Sequence, residues 1–218
     1  MALGFARSVA AGLAALTLSG CSTNDRPLFV DVGTTLFQGL TGQNQAVDLR
    51  AGLTREALKP VEGTAIVVYI EERGVSALMG ELIATPNGRT FVTSDGISLT
   101  FETGFLKSTR GLGGDLMGAE TLAVRQALGT TGQAVRVHDY LTGEDGIEQR
   151  RFTCTLSTPV REPIVIYEIQ YQTARITESC SDERDSFTND YWIDAQGVVR
   201  KSRQWLSPSV GYLEIERI

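Results

Sequence analysis

The chain has 218 residues, of which 42% are hydrophobic and 21% are charged, and its formal net charge is −6 at neutral pH. This length lies within the range of a single domain that buries a full hydrophobic core. Because the basic residues are not clustered, the composition argues against nucleic acid as a partner and against electrostatic attraction to anionic lipid head groups.

The first 21 residues have the pattern of a bacterial lipoprotein signal peptide. Arg7 supplies a positive charge, and the apolar stretch at residues 9–18 is shorter than the roughly 20 residues that a membrane-spanning helix needs. Leu18-Ser19-Gly20-Cys21 then has the form of a lipobox. We therefore predict cleavage before Cys21, acylation of its thiol and amine, and anchoring by acyl chains whose buried methylenes each contribute about 0.8 kcal/mol. The alternative is an ordinary secretory peptide with an accidental cysteine.

The sequence thus predicts a signal peptide at residues 1–20, a polar tether at residues 21–27 and one β-rich domain at residues 28–218. Ser22 rather than Asp follows the cysteine, which by similarity to sorted lipoproteins favours the outer membrane, with the domain facing the periplasm. The mature chain would carry a net charge of about −7. We therefore expect the protein to be attached to the membrane through its N-terminal lipid alone.

Two cysteines remain after Cys21. Cys154 and Cys180 form an even pair, which in an oxidising compartment is most simply a disulfide. The alternative is a metal site with two cysteine ligands, but His138, the only histidine, has no partner at ligand spacing. We predict a disulfide and no metal.

Helical patterns are few and short. Apolar residues recur every four positions at Leu28, Val32, Leu36 and Leu40, and Gly42 then provides a stop, so one amphipathic helix is expected there. Its apolar stripe suits core packing better than the bilayer surface. A further helical turn is predicted at residues 54–58, and the later helix candidate spans residues 119–128.

Beyond residue 63, short runs rich in β-branched and aromatic residues alternate with turn signals. Asp95-Gly96 is the strongest hairpin signal, and Gly143-Glu144-Asp145-Gly146 indicates a second hairpin. The predicted strands span residues 64–70, 77–84, 90–93, 97–102, 134–140, 147–156, 164–171, 175–178, 191–193, 198–205 and 212–218.

Polar and apolar residues alternate within these strands, so most strands should have one face towards water, as antiparallel sheets do. The absence of a repeating strand–helix–strand pattern argues against a parallel α/β enzyme fold. We therefore predict a mainly β protein with curved antiparallel sheets, either a half-barrel or a sandwich-like meander, plus a short N-terminal helix and one or two minor helices.

The sequence carries no strong catalytic motif. It has no phosphate-binding loop between a strand and a helix and no nucleophile elbow. The acid pairs Glu71-Glu72 and Asp182-Glu183 resemble glycosidase carboxylates only in type, and adjacent strand residues point to opposite faces, so we interpret them as solvated turns. The segment Gly111-Leu112-Gly113-Gly114 is interpreted as a tight backbone passage. No enzymatic activity and no cofactor are expected.

Several segments together resemble one known family. The first segment runs from Gly104 to Leu116. It begins with a predicted strand, continues through Thr109, and ends with the dipeptides Gly111-Leu112 and Asp115-Leu116. Further segments follow in the family's order and are Phe152-Thr153-Cys154, the stretch 165–171, Glu178-Ser179-Cys180, Asn189-Asp190-Tyr191-Trp192, Gly197 and Ser202-Arg203-Gln204. Over residues 29–218 the chain is similar to the YjbF/GfcB family of group 4 capsule and exopolysaccharide lipoproteins.

The resemblance implies an outer-membrane lipoprotein encoded with genes for a secreted polysaccharide, with a mostly antiparallel β fold and no established enzymatic activity. Asp190 stands where the family has a hydrophobic or basic residue, which affects the expected local surface and not the fold. The positions that carry the resemblance are expected to be structural; they are Gly111, Leu112, Asp115, Leu116, Glu178, Asn189, Ser202 and Gln204.

Three aromatic residues, Tyr191, Trp192 and Trp205, are candidates for stacking on sugars or contacting a partner. The alternative is that they fill the core. Because Tyr191 and Trp192 are adjacent in a strand, they should face opposite sides, and we expect Trp192 to be the core residue.

The leading hypothesis is a lipoprotein that supports assembly or export of exopolysaccharide or capsule by binding the polysaccharide or other secretion proteins. The second is an envelope carrier of lipid or another hydrophobic ligand, which a deep, apolar cavity would favour. The third is a glycan hydrolase, which would need two carboxylates about 5 to 10 Å apart in a cleft.

Overall fold

The computed structural model describes residues 48–130, 132–142 and 146–218. The predicted signal peptide, Cys21, the tether and the helix expected at residues 28–40 lie outside these ranges, as do residues 143–145 of the second hairpin turn. Among the described residues, no helix is both long enough and apolar enough to cross a membrane.

Strands make up most of the described chain. Strands β1 to β8 are Ala65–Ile70, Val75–Ala84, Gly88–Val92, Ser98–Glu102, Phe105–Arg110, Leu116–Glu120, Gln133–Leu141 and Ile147–Leu156. Strands β9 to β15 are Val160–Arg161, Ile164–Ile166, Ile169–Tyr171, Thr173–Ser181, Ser186–Asp194, Val199–Ser207 and Gly211–Arg217. The helices are α1, Arg55–Leu58, and α2, Leu122–Gln126, and single 3-10 turns span Leu49–Ala51 and Glu71–Arg73.

Thirteen strands form one curved antiparallel sheet in the order β5-β4-β3-β2-β1-β15-β14-β13-β12-β8-β7-β6, with β9 paired to β12. Strands β10 and β11 form a separate hairpin. The edge strands β5 and β6 are consecutive in the chain and lie side by side, so the sheet nearly closes on itself. This arrangement confirms the predicted fold class of a curved antiparallel meander.

The concave face of the sheet contains most of the buried apolar side chains. Every second residue of each strand points there, as the alternation predicts. Three clusters follow one another along this face and are represented by Leu99 and Leu213, by Phe105 and Tyr191, and by Phe152 and Phe187 with Trp205.

A fourth cluster covers part of the convex face. Val67 lies between two concave-facing neighbours on β1 and therefore points outwards, where Leu49, Leu53 and Leu58 pack against it. Helix α1 lies within the helical turn predicted at residues 54–58, and the Thr54 hydroxyl caps it by accepting a hydrogen bond from the Ala57 N–H. The segment before β1 thus covers a surface that would otherwise be exposed and apolar.

Two sequence predictions were wrong in detail. Residues 119–128 were predicted as one helix, but Ala119 and Glu120 complete β6 and only Leu122–Gln126 is helical. Residues 164–171 were predicted as one strand, but the chain reverses at Tyr167 and Glu168, whose φ angles are 42° and 69°. The first error arose because a short apolar run does not distinguish a strand from a helix. The second arose because tyrosine and glutamate seldom adopt a left-handed backbone, so these two residues do not signal a turn.

Candidate functional site

The glycine-rich segment after β5 joins the two edges of the sheet. The Asp115 carboxylate accepts hydrogen bonds from the N–H groups of Gly111 and Leu112, at 3.0 and 3.1 Å. The Thr109 hydroxyl donates to Asp115 at 2.8 Å and accepts from the Leu116 N–H at 3.1 Å. Leu112 and Leu116 are both buried in the core. The segment is the tight backbone passage that the sequence suggested.

Side chains also bridge this edge where no backbone ladder does. The Arg110 guanidinium donates to the carbonyl oxygens of Leu116 and Met117, at 3.1 and 3.4 Å. On the other side, the Ser207 hydroxyl donates to the Gly114 carbonyl at 2.9 Å. A Cβ on Gly114 would lie 3.1 Å from the Ser207 hydroxyl oxygen, so glycine allows this close approach.

Glu178 is the centre of a buried polar cluster. Its two oxygens accept hydrogen bonds from Arg136 Nε and Nη2, at 2.9 and 2.8 Å, from Asn189 Nδ2 at 2.9 Å and from the Tyr191 hydroxyl at 2.8 Å. Burial raises the pKa of Tyr191 well above its ordinary value, with the nearby Glu178 charge acting in the same direction and Arg136 against it. Every carboxylate oxygen is already bonded, so this cluster holds strands together and leaves no acceptor for a substrate.

Gln204 and Ser202 connect β14 to β5 across the concave face. The Leu106 N–H donates to Gln204 Oε1 at 2.8 Å, and Gln204 Nε2 donates to the Gly104 carbonyl at 3.0 Å and the Ser202 hydroxyl at 2.9 Å. Both side chains are buried. Gln204 therefore satisfies backbone groups at the start of β5, an edge strand without a ladder partner on that side, and Ser202 holds the Gln204 amide in place.

Cys154 and Cys180 face each other on β8 and β12 and are joined in a disulfide, with an S–S distance of 2.05 Å. Glu178 lies beside them, and the three residues have the types and proximity of a metal site. Because the sulfurs are bonded to each other and the Glu178 oxygens accept hydrogen bonds, this trio offers no ligand while the disulfide is intact.

The three aromatic candidates are not equivalent. Tyr191 is fully buried and Trp205 is 8% exposed, so neither ring is presented to a polysaccharide. Tyr191 and Trp192 do face opposite sides, but the expected assignment is inverted, because Trp192 is the one that keeps part of its surface exposed. Its indole N–H donates to Glu162 at 2.8 Å, and the Lys201 ammonium lies 5.7 Å from its ring.

His138 lies inside the concave face among the rings of Phe152, Phe187 and Trp205. Its Nδ1 is 2.8 Å from the Tyr140 hydroxyl, while its Nε2 has no hydrogen-bond partner in the described structure. Burial, assisted by the positive charges of Arg136 and Arg150, lowers the pKa of His138 well below its ordinary value. The histidine is therefore neutral and enclosed.

One member of each acid pair, Asp182 and Glu71, forms an ion pair. Asp182 accepts hydrogen bonds from Arg150 Nε at 2.8 Å and from the Asp185 N–H at 2.7 Å, and although burial opposes the effect, these bonds lower the pKa of Asp182 to about 2. Glu71 binds the Arg203 guanidinium through both oxygens, at 2.6 and 2.7 Å. The lowered pKa of Asp182 does not suit a general acid.

A cavity of about 230 Å³ opens at one end of the concave face, where β1, β3, β4, β14 and β15 meet; we call it the end cavity. Its apolar floor consists of the core residues Ile66, Phe91, Phe101 and Ile215. The β4–β5 turn forms one wall, because Gly104 approaches Val199 so closely that a Cβ would lie 2.5 Å from Val199 Cγ2.

The rim of the end cavity is basic. Arg89, Arg200, Lys201 and Arg217 line it. The sequence reasoning missed these residues, but one signal was present. Arg217 follows Leu213 and Ile215 at two-residue spacing, so an arginine stands where the alternation predicts another apolar residue.

The comparisons with known proteins agree with this fold. The model of a family described as "Group 4 capsule polysaccharide lipoprotein gfcB, YjbF" matches residues 33–218. The crystal structure of the hypothetical lipoprotein YmcC from Escherichia coli (K12) is similar, with a TM-score of 0.64 and 18% sequence identity over 74% of this chain and 86% of that one. No curated protein matches the chain. Since the family model covers most of the sequence, the chain belongs to the group 4 capsule polysaccharide lipoprotein family, gfcB/YjbF.

Proposed function

We propose that the protein is anchored through lipid on Cys21 to the outer membrane, faces the periplasm and supports capsule or exopolysaccharide export by binding the polysaccharide. The observation that carries this proposal is the end cavity, which is open, about 230 Å³ in volume and lined by both apolar and charged residues. Sites that enclose a whole drug-sized ligand measure roughly 300–1,000 Å³. The end cavity therefore suits one unit of a longer molecule.

The same cavity disfavours the second candidate, a lipid carrier. Below its floor the concave face is filled by core side chains, such as Leu99 and Leu213, each at most 1% exposed. An acyl chain would need a long apolar channel, whereas these side chains occupy the space beneath the floor. Secretion proteins are the further partner class that we propose, with the partly exposed Trp192 beside Lys201 as their contact.

We also propose that the protein acts without catalysis. A glycan hydrolase needs a pair of carboxylates in its cleft. No acidic residue is among the described residues that line the end cavity. The acids singled out by the sequence, Glu71 and Asp182, instead bind Arg203 and Arg150.

The test is deletion of the gene, followed by complementation with the wild type or with Cys21→Ala exported by a non-lipoprotein signal peptide. We expect the deletion to lower cell-associated and released polysaccharide, and only the acylated protein to restore both. Unchanged polysaccharide in the deletion would remove this function. Extraction of lipids from the purified wild-type protein provides the parallel check, because a stoichiometric bound lipid would favour the carrier.

A further inference from the structure

The end cavity concentrates positive charge in a chain that is acidic overall. Of the eighteen described residues that line it, four are basic and none is acidic. The whole chain has 20 basic and 26 acidic residues, so this local excess runs against the composition. A cleft lined by one sign of charge with low-dielectric walls raises the local concentration of an oppositely charged ligand.

Three of the four cations have carboxylate partners behind the rim. Arg89 pairs with Glu81, Arg200 Nε lies 2.6 Å from Asp194, and Lys201 Nζ lies 2.5 Å from Glu214. These partners neutralise the three charges and hold their side chains in place. These carboxylates do not line the cavity. The Lys201 ammonium lies beside the Trp192 ring, on the face opposite the buried Tyr191, so Lys201 lines the cavity without directing its charge into it.

Arg217 is different, because it pairs with no carboxylate among the described residues although it is half-buried. Burial lowers the pKa of Arg217, and the positive charges of Arg89 and Arg200 lower it further, while the charges of Glu81 and Asp194 oppose this with smaller effects. A half-buried cation normally has a partner, since an uncompensated charge away from water is costly. The chain therefore keeps an unfavourable charge at this position.

A second cation lies near Arg217. Arg200 comes one residue before Lys201, the last position of β14 that pairs with β15, and its positive charge acts on Arg217. Like charges close together on neighbouring strands destabilise a sheet. A carboxylate bound between the two guanidinium groups would remove this repulsion and could accept charge-assisted hydrogen bonds from both.

The size of the cavity and its apolar floor limit the kind of molecule that can present this carboxylate. The volume of about 230 Å³ admits a ring-sized group, and the floor beneath the rim is made of Phe91 and Phe101 together with two aliphatic residues. A pyranose ring presents an apolar face of C–H groups that packs against such a floor, while its charged substituent reaches the rim.

Building on the proposed function, we infer that the end cavity binds an acidic sugar unit of the polysaccharide, with Arg217 and Arg200 holding its carboxylate and the apolar floor contacting its ring. The ligand class is thus a uronic acid or a sugar with an equivalent carboxylate. A phosphate group is also an anion, so the test separates it from the carboxylate.

The test uses the mature, full-length lipoprotein purified in detergent and follows the backbone amide signals of the cavity by NMR. The probes are trigalacturonate, its neutral counterpart maltotriose, and inorganic phosphate, each titrated at low ionic strength. We expect trigalacturonate to bind and to do so at least tenfold more weakly to Arg217→Gln, a difference of about 1.4 kcal/mol. The matched control is Arg184→Gln, an exposed arginine in the turn at the other end of the sheet, which should bind as the wild type does.

Three outcomes would overturn the inference: equal binding of trigalacturonate by Arg217→Gln, equal binding of maltotriose, or Arg217-dependent binding of phosphate without binding of trigalacturonate. If Arg217→Gln does not fold, Arg200→Gln provides the same test. Complementation of the gene deletion separates this inference from the proposed function. If the deletion lowers polysaccharide but Arg217→Gln restores it fully, the export function stands and the cavity assignment fails.

Discussion

Arg136 and Glu178 form a two-point ion pair that is closed off from water. Arg136 Nε and Nη2 lie 2.9 and 2.8 Å from the two Glu178 oxygens, and the side chains are 2% and 0% exposed. The pair joins β7 to β12 across the intervening β8, so it ties together three neighbouring strands of the sheet.

Removing one partner of this pair should destabilise the fold strongly. Glu178→Ala leaves Arg136 buried and uncompensated, so we expect the free energy of unfolding to fall by about 3 to 5 kcal/mol. Urea denaturation followed by circular dichroism measures the change. Glu148→Ala is the control, because Glu148 pairs with Arg184 on the surface, where the side chains are 41% and 60% exposed, and such pairs contribute about 0 to 1 kcal/mol. Similar losses for the two variants would contradict the proposed role of the buried pair.

The disulfide should contribute several kcal/mol, because its cysteines are 26 residues apart in sequence. On the chain-entropy model, closing a loop of this length stabilises the folded state by about 3 to 4 kcal/mol. The double variant Cys154→Ala/Cys180→Ala should therefore unfold at lower urea than the wild type. Adding reductant should shift the wild type towards the variant and leave the variant unchanged, and an effect of reductant on the variant would refute this assignment.

The stability of the fold should depend on pH through His138. The pKa of His138 is well below 6.5 in the folded state, whereas in the unfolded chain it has its ordinary value of 6.5. Just below pH 6.5 the imidazole therefore binds a proton in the unfolded chain and stays neutral in the folded protein. The free energy of unfolding should therefore fall as pH drops below 6.5 and be insensitive to this residue above it, with a slope of up to about 1.4 kcal/mol per pH unit.

NMR can check this directly, because His138 is the only histidine and gives one set of imidazole signals. These signals should stay those of the neutral ring from pH 7.5 down to pH 5.5. The variant His138→Leu should lose the part of the pH dependence that arises below 6.5. An imidazole that titrates near 6.5 in the folded protein would contradict its burial beside Arg136 and Arg150.

Gly104 should tolerate no side chain. Its φ angle is +91°, and a Cβ would lie 2.5 Å from Val199 Cγ2, so Gly104→Ala combines a left-handed backbone with a clash. We expect a loss of about 1 to 3 kcal/mol from the backbone alone and a further loss from the clash. Gly63→Ala isolates the backbone contribution, because Gly63 has a φ angle of +79° and no atom within 4 Å of its Cβ position. Equal losses in thermal stability for the two variants would show that the contact with Val199 gives way without cost.

Arg217→Gln should not destabilise the empty protein. Arg217 forms no ion pair with a carboxylate in the described chain, and the repulsion by Arg89 and Arg200 exceeds the attraction by Glu81 and Asp194, so its removal relieves net repulsion. We expect the melting temperature to rise or stay unchanged, as when a residue kept for binding is replaced. Arg200→Gln, which breaks a pair with Asp194, should lower it. A clear fall in melting temperature for Arg217→Gln would indicate a structural role instead.

The sequence by itself determined the class of this protein. Alternating strands with Asp-Gly and other turn signals predicted an antiparallel sheet, because side-chain direction has a period of two in any strand. Cys154 and Cys180 were paired by count alone, since no other pair remains after Cys21. The resemblance that rests on Asp115, Glu178 and Gln204 identified the family before any coordinates.

The tertiary structure decided which residues meet. Gln204 and Leu106 are 98 residues apart in the sequence. The Gln204 side chain nevertheless accepts a hydrogen bond from the Leu106 N–H, because the sheet curves until its ends approach each other. The order of strands in the sheet likewise brings Arg217 on β15 near Arg200 on β14 and Arg89 on β3, and no local pattern encodes this encounter. Sequence also could not choose between Tyr191 and Trp192, because alternation fixes that they face opposite ways and only sheet curvature decides which face is enclosed.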